Sequence, residues 1–155
     1  MTRAYFSLGS NLGDRARYLS LGVATVAHDE PHRVSRVYLS EPVGGVAQDD
    51  FWNLVLEVTT AASAPELLAR ARAAEDAAAR TREVHWGPRT LDVDIIWIDG
   101  VRIDDEELTV PHPLAFDRRF VLVPWRELRA DLVTDADVAR AAGELTGLGT
   151  LEMFH

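Results

Sequence analysis

Cysteine is absent from the 155-residue chain, so disulfides and thiolate zinc sites are both excluded. No apolar run reaches the roughly 18 residues of a membrane span. Met1-Thr2-Arg3 leads at once into a strand-like segment, without the apolar stretch of a secretion signal. A cytoplasmic protein is therefore expected. Positive charge is scarce: 16 basic residues stand against 25 acidic ones, a net charge of −9. A field of that sign works against nucleic acid and anionic membrane as partners. It also repels a free nucleotide, so a phosphate ligand would need metal ions or a local group of arginines. Internal repeats, linkers and low-complexity tracts are missing too. What is present is a 47% hydrophobic chain, enough for one domain over residues 1–155 with a substantial core.

Alternation and spacing outline its elements. Ala4, Phe6 and Leu8 alternate with Tyr5, Ser7 and Gly9, which predicts a first strand. The turn-rich Gly9-Ser10-Asn11-Leu12-Gly13-Asp14 follows, and Asp14 caps a helix with apolar positions Ala16, Leu19, Val23, Val26 and Ala27. A second strand is expected over Arg33 to Leu39 and a third over Phe51 to Thr59. In the third, Trp52, Leu54, Leu56 and Val58 form one face and Phe51, Asn53, Val55 and Glu57 the other. The connection Ser40 to Asp50 is too long for a tight hairpin, and such loops often bind ligands. Ser63-Ala64-Pro65-Glu66 reads as a capping box opening a second helix. Thr90 to Ile98 is a fourth strand, Val101 to Ile103 a short fifth, and Leu108 to Pro113 an extended, proline-stiffened segment. Phe120 to Val123 reads as strand-like. Helical segments follow near Trp125 to Arg129 and Ala136 to Ala142, and Gly143 to His155 has too weak a pattern to be held firmly. The order β-α-β-β-α-β with appended C-terminal strands and helices predicts an α+β fold with a ferredoxin-like core. Its helices would cover one face of an antiparallel sheet and leave the other for a site.

The most informative stretch is His85 to Ile96, HWGPRTLDVDII. On a strand, Asp92 and Asp94 share one face while Leu91, Val93 and Ile95 take the other. Two carboxylates about 7 Å apart at Cα repel unless a cation lies between them. One reading is a pair of acids facing water at a strand end. The other is a site for a hard, oxygen-ligated cation such as Mg²⁺ on a substrate phosphate. The aromatic residue, the Gly-Pro turn and Arg89 just upstream favour the second. Arg80, Arg82 and Arg89 fall within ten residues, and Arg118-Arg119 come later; a solvated helix face is the alternative for such a group. Glu75 lies on the apolar stripe of the second helix, between Ala71 and Ala78. It either reaches water at the stripe's margin or accepts hydrogen bonds from a ligand.

Trp86 to Ile95, Leu108-Thr-Val-Pro-His112 and Gly9 to Asp14, in this order and spacing, resemble the signatures of the 6-hydroxymethyl-7,8-dihydropterin pyrophosphokinase family. The resemblance runs from Ala4 to about Leu128 and implies a ferredoxin-like α+β fold with extra elements. It implies transfer of the β,γ-pyrophosphoryl group of ATP to the pterin hydroxymethyl oxygen, with release of AMP, in folate biosynthesis. Asp92 and Asp94 match the acids that hold two Mg²⁺ ions against the triphosphate. Arg80, Arg89 and Asp94 match catalytic positions. Arg72, Glu75, Arg80, Arg82, Arg89, Ile95 (through its backbone), His112 and Arg118 match the ATP side. Ser40, Val43, Phe51, Asn53, Trp86 and Phe120 match the pterin side, with Trp86 on a closing loop and Trp52 left to the core. ATP and the pterin are the only partners implied, and a monomer is expected. The chain departs from the family pattern in places: His85 replaces a common arginine, the segment from Arg82 to Trp86 is one residue shorter than in many relatives, and Arg72 stands where glutamine is frequent. The loop Glu41 to Asp50 keeps only Pro42-Val43-Gly44 of its counterpart. None of these removes a metal-matching acid or Arg89.

Overall fold

The computed structural model describes residues 1–40, 50–79 and 90–154. It is an α+β fold built on one antiparallel sheet. The strands are β1 (Thr2–Ser10), β2 (His32–Val34), β3 (Val37–Ser40), β4 (Phe51–Thr60), β5 (Asp92–Ile98), and, after a small β6–β7 pair (Ile103–Asp104 and Thr109–Val110), β8 (Leu145–Gly149). The helices are α1 (Arg15–Ala27), α2 (Ala64–Ala79), α3 (Arg119–Leu128) and α4 (Asp135–Arg140). The main sheet has the order β5-β1-β4-β3-β8, and β2 also pairs with β4. Among the described residues no helix is long and apolar enough to cross a membrane.

Side-chain alternation produces two different cores. Ala4, Phe6 and Leu8 of β1, Leu54, Leu56 and Val58 of β4, and Val93 and Ile95 of β5 face α1 and α2. Those helices answer with Leu19, Val23, Val26, Leu67, Ala71 and Ala74, the spacing of three and four that the sequence shows. Asp14 caps α1 by accepting from Arg17 N, and Ser63 and Glu66 cap α2 reciprocally. On the opposite face, Tyr5, Val55 and Ile96 pack against Val121, Leu122 and Trp125 of α3. A β-bulge makes this possible. Tyr5 pairs with Trp97 and Phe6 with Ile95, so Ile96 has no opposite number. The extra residue keeps Ile96 and Trp97 on the α3 side and returns Ile98 to the α1–α2 core.

Several elements differ from expectation. Phe120–Val123 belongs to α3 rather than to a strand: a short apolar run fits either state, and here Val121, Leu122 and Trp125 share one buried helical face. The strand expected over Arg33–Leu39 is broken into β2 and β3. At the break the Ser35 hydroxyl accepts from Val55 N at 2.9 Å, standing in for a ladder carbonyl. The segment after Gly143 is held, because β8 pairs along β3 from Val37↔Gly149 to Ser40↔Leu145. The face expected to be free is half covered. α3 occupies the end near Tyr5 and Val55, and the end near Ser7, Gly9, Asn53, Asp92 and Asp94 remains open.

Candidate active site

That open end is a cavity of about 760 Å³, the size of a small-molecule site. Its floor follows from register. Asp92 pairs with Gly9 and Asp94 with Ser7, while Gly9 and Ser7 pair on their other side with Asn53 and Val55. Both aspartates therefore lie on the sheet face away from α1 and α2, as alternation predicts. Asp92 is half-buried and Asp94 exposed. Phe51 and Ser40 extend the floor along β4 and β3, and Trp52 turns to the other face, under Phe154 and the Arg15 guanidinium. The glycine at position 9 leaves room for a close approach: a Cβ there would stand 3.1 Å from Asn53 Oδ1, so the amide would have to give by a few tenths of an ångström.

The roof comes from the chain's last third. Leu114, Asp117, Arg118 and Phe120 precede or open α3, and Ala142 to Leu145 follow α4. These two pieces are fastened together. Arg119 N donates to Ala142 O and Ala142 N to Asp117 O, and the Arg119 guanidinium donates to Val138 O, Ala139 O and Gly143 O. The adjacent arginines thus divide their work: Arg119 is bound to α4, while Arg118 lines the cavity with its guanidinium 5.5 Å from the Phe120 ring.

Beneath α3 runs a polar brace. Glu57, 4% exposed, accepts from Tyr5 Oη at 2.6 Å and from Arg33 Nε and Nη2 at 2.9 and 2.8 Å. Arg129, at the end of α3, donates to Tyr5 Oη and to Asp99, which also accepts from Trp97 Nε1. The Arg33 guanidinium holds the Glu57 carboxyl below its ordinary range, while burial pushes the Tyr5 phenol up to about 12. This brace seats α3, and with it the Arg118–Phe120 roof.

Of the pterin-side expectations, Ser40, Phe51, Asn53 and Phe120 line this cavity together with Asp92 and Asp94. On the ATP side, among the described residues, only Arg118 does. Glu75 lies beside the outer edge of β5, half-buried, and accepts from Val93 N at 3.0 Å. His112 is on the same edge: its backbone N donates to Ile96 O, and Leu114 N donates to its Nδ1, which leaves the neutral ring's proton on Nε2. The Ile95 side chain is buried in the α1–α2 core, so a ligand would meet it through backbone. Arg72 is exposed on α2. Val43, Arg80, Arg82, Trp86 and Arg89 lie outside the described residues.

Ser7, Leu114, Asp117 and the Ala142–Leu145 wall were not singled out in the sequence. Ser7 was accessible to it, since it alternates with Tyr5 and Gly9 opposite an apolar face. The wall was not, because it depends on β8 finding β3.

Four carboxylates (Asp92, Asp94, Asp117, Glu144) and one guanidinium (Arg118) line the cavity among the described residues. A polyphosphate would be repelled there without added positive charge. Among the described residues no three His, Asp or Glu side chains gather around a common point. Asp92 and Asp94 thus supply a pair of hard oxygen donors, suited to Mg²⁺ when substrate oxygens and water complete its shell. A second cavity, about 590 Å³ between α1, β2 and the C-terminal turn, carries Asp29 and Glu152 on its walls, from separate segments and not from one strand face.

The chain matches known proteins over the same elements. Residues 5–130 fit the family model described as 7,8-dihydro-6-hydroxymethylpterin-pyrophosphokinase (HPPK). A 2-amino-4-hydroxy-6-hydroxymethyldihydropteridine pyrophosphokinase of Bacillus subtilis is 40% identical over 144 residues, covering 91% of this chain and 86% of its own. The protein of the same name from Methylorubrum extorquens is 39% identical over 145 residues, covering 92% of each. The bifunctional protein FolKE of Lactococcus lactis subsp. lactis is 43% identical over 150 residues; the match takes in 94% of this chain but 43% of that longer protein. By these matches and the motifs that carry them, the chain belongs to the 7,8-dihydro-6-hydroxymethylpterin pyrophosphokinase family.

Proposed function

We propose that the chain transfers the β,γ-pyrophosphoryl group of ATP to the hydroxymethyl oxygen of 6-hydroxymethyl-7,8-dihydropterin and releases AMP, a step of folate biosynthesis. The observation that carries this reading is that Asp92 and Asp94 share one cavity with Ser40, Phe51, Asn53 and Phe120. Acids suited to a metal–triphosphate thus face a slot suited to a flat, hydrogen-bonding ring. The names of the Bacillus and Methylorubrum relatives support it. A ferredoxin-like topology is part of the reading, supported by the antiparallel order β5-β1-β4-β3. A monomeric domain at work in the cytoplasm is part of the reading.

The pterin hydroxyl oxygen attacks the β-phosphorus. A new O–P bond forms, the bond from the β-phosphorus to the α,β-bridging oxygen breaks, and AMP leaves with that oxygen. Asp92 and Asp94 would hold two Mg²⁺ ions, whose charge would offset that of the triphosphate and of the departing oxygen. Asp94, the more exposed acid, accepts a hydrogen bond from the attacking hydroxyl, whose proton passes through it to solvent as the new O–P bond forms. Phe120 stacks on the ring and Asn53 reads its edge. Arg118 contributes fixed positive charge, joined by Arg80, Arg82 and Arg89 in the family reading. Glu75, Ile95 and His112 lie along the β5 edge, where adenosine would extend past the aspartates.

Nucleotide products separated by chromatography test this. AMP formed only when the pterin is present supports the transferase. AMP or ADP formed without pterin would make it a phosphohydrolase, and no turnover would make it a binding module.

A further inference from the structure

Among the described residues, Asn53 is held from one side. Its Nδ2 donates to Ser40 Oγ at 2.6 Å, with Phe51 O at 3.3 Å and Tyr38 O at 3.4 Å. Two amide hydrogens therefore face three acceptors. Two of these are carbonyl oxygens, which can only accept, so a flipped amide would set Oδ1 against them. The orientation is thus dictated by its surroundings. Ser40 and Asn53 are 7% and 3% exposed, so this bond is shielded from competing water. Oδ1 points the other way, over Gly9 on the cavity floor. Among the described residues nothing donates to it. Ser40 itself is held on both sides, pairing with Phe51 of β4 and Leu145 of β8.

We propose that Ser40 is a positioning residue for ring recognition: its hydroxyl fixes the Asn53 amide so that Oδ1 alone meets the ligand. The cavity then selects a flat heterocycle that presents an N–H donor at that point. This inference rests on the pterin reading above and adds a direction to it. The 2-amino group and protonated ring nitrogen of a pterin satisfy it. A ring with a carbonyl oxygen or a C–H in their place leaves Oδ1 repelled or unpaired.

The test combines two readouts. The side-chain amide of Asn53, assigned by its disappearance in Asn53→Asp, is followed by proton exchange in the wild type, Ser40→Ala and Ser40→Thr. The same proteins are titrated with 6-hydroxymethyl-7,8-dihydropterin in the presence of Mg²⁺ and a non-hydrolysable ATP analogue. Ser40→Ala is expected to speed exchange and weaken pterin binding about tenfold, with affinity for the analogue unchanged. Ser40→Thr, which keeps the hydroxyl, is expected to restore both. Exchange that does not respond to Ser40→Ala overturns the proposal, as does equal pterin loss in the alanine and threonine variants. If exchange responds as expected but the wild type binds no pterin, the positioning role stands and the substrate reading falls.

Discussion

Replacing Glu57 with alanine should loosen the roof of the active site by destabilising the whole fold, and the structure sets the size of the effect. Glu57 bridges Arg33 and Tyr5 beneath α3. The Arg33 side chain is 54% exposed and returns readily to water, so its share is that of a surface pair, about 0–1 kcal/mol. Tyr5 is fully buried, and depriving its hydroxyl of this acceptor costs about 1–3 kcal/mol. The lost methylene adds about 0.8 kcal/mol of forfeited burial. Together these give about 2–5 kcal/mol, a large part of the 5–15 kcal/mol typical of a domain. At about 2–4 °C per kcal/mol for a chain of this size, Tm should fall about 4–20 °C. Calorimetric melts together with urea titrations measure it, the latter checking that the slope is unchanged. A fall under about 2 °C, at most about one kcal/mol on the same scale, would show that water replaces the carboxylate freely and that the brace does not seat α3.

Further outcomes follow from the same geometry. The Glu57 carboxyl is held below its ordinary value of 4.5, so its contribution is present above that pH and is lost as pH falls through the lower folded value. Acid melts should show that loss below pH 4.5, and it should vanish in Glu57→Gln. Tyr5 is raised from 10.0 to about 12, so the stability due to its protonated form should fade as pH climbs from 10 to 12, absent from Tyr5→Phe. Asp94→Ala should lower AMP formation by at least about 100-fold, and Tm should barely move because the side chain is exposed. Phe120→Ala should raise the KM for the pterin about two- to tenfold through lost stacking, with the KM for ATP unchanged.

The aspartate pair was legible because a strand obeys a period of two. Once Asp92 and Asp94 lie on a strand whose Val93 and Ile95 are apolar, their common face follows, and Phe51 and Asn53 of β4 are placed by the same rule. The α1 and α2 stripes were legible through their period of 3.6. The rest required pairings that no local window contains. Phe120–Val123 fits strand or helix, and it became helical because Val121, Leu122 and Trp125 together fill the face over Tyr5 and Val55. The bulge at Ile96 is invisible in a run of four large apolar residues, yet it decides which of them meet α3. Glu75 reads in the sequence as a ligand-facing or margin acid; in the structure it also accepts from Val93 N, a contact that only the position of β5 beside α2 explains. The cavity wall at Ala142–Leu145 lies beyond the family match, which ends at residue 130, and is fixed by Arg119 and by β8 on β3.

The most direct measurement is a crystal structure with Mg²⁺, a non-hydrolysable ATP analogue and 6-hydroxymethyl-7,8-dihydropterin. The account predicts carboxylate oxygens of Asp92 and Asp94 at about 2.0–2.1 Å from metal, with the ring between Phe120 and Asn53. Nucleotide bound elsewhere, with both carboxylates beyond about 4 Å of any ion and thus outside coordination distance, would contradict it.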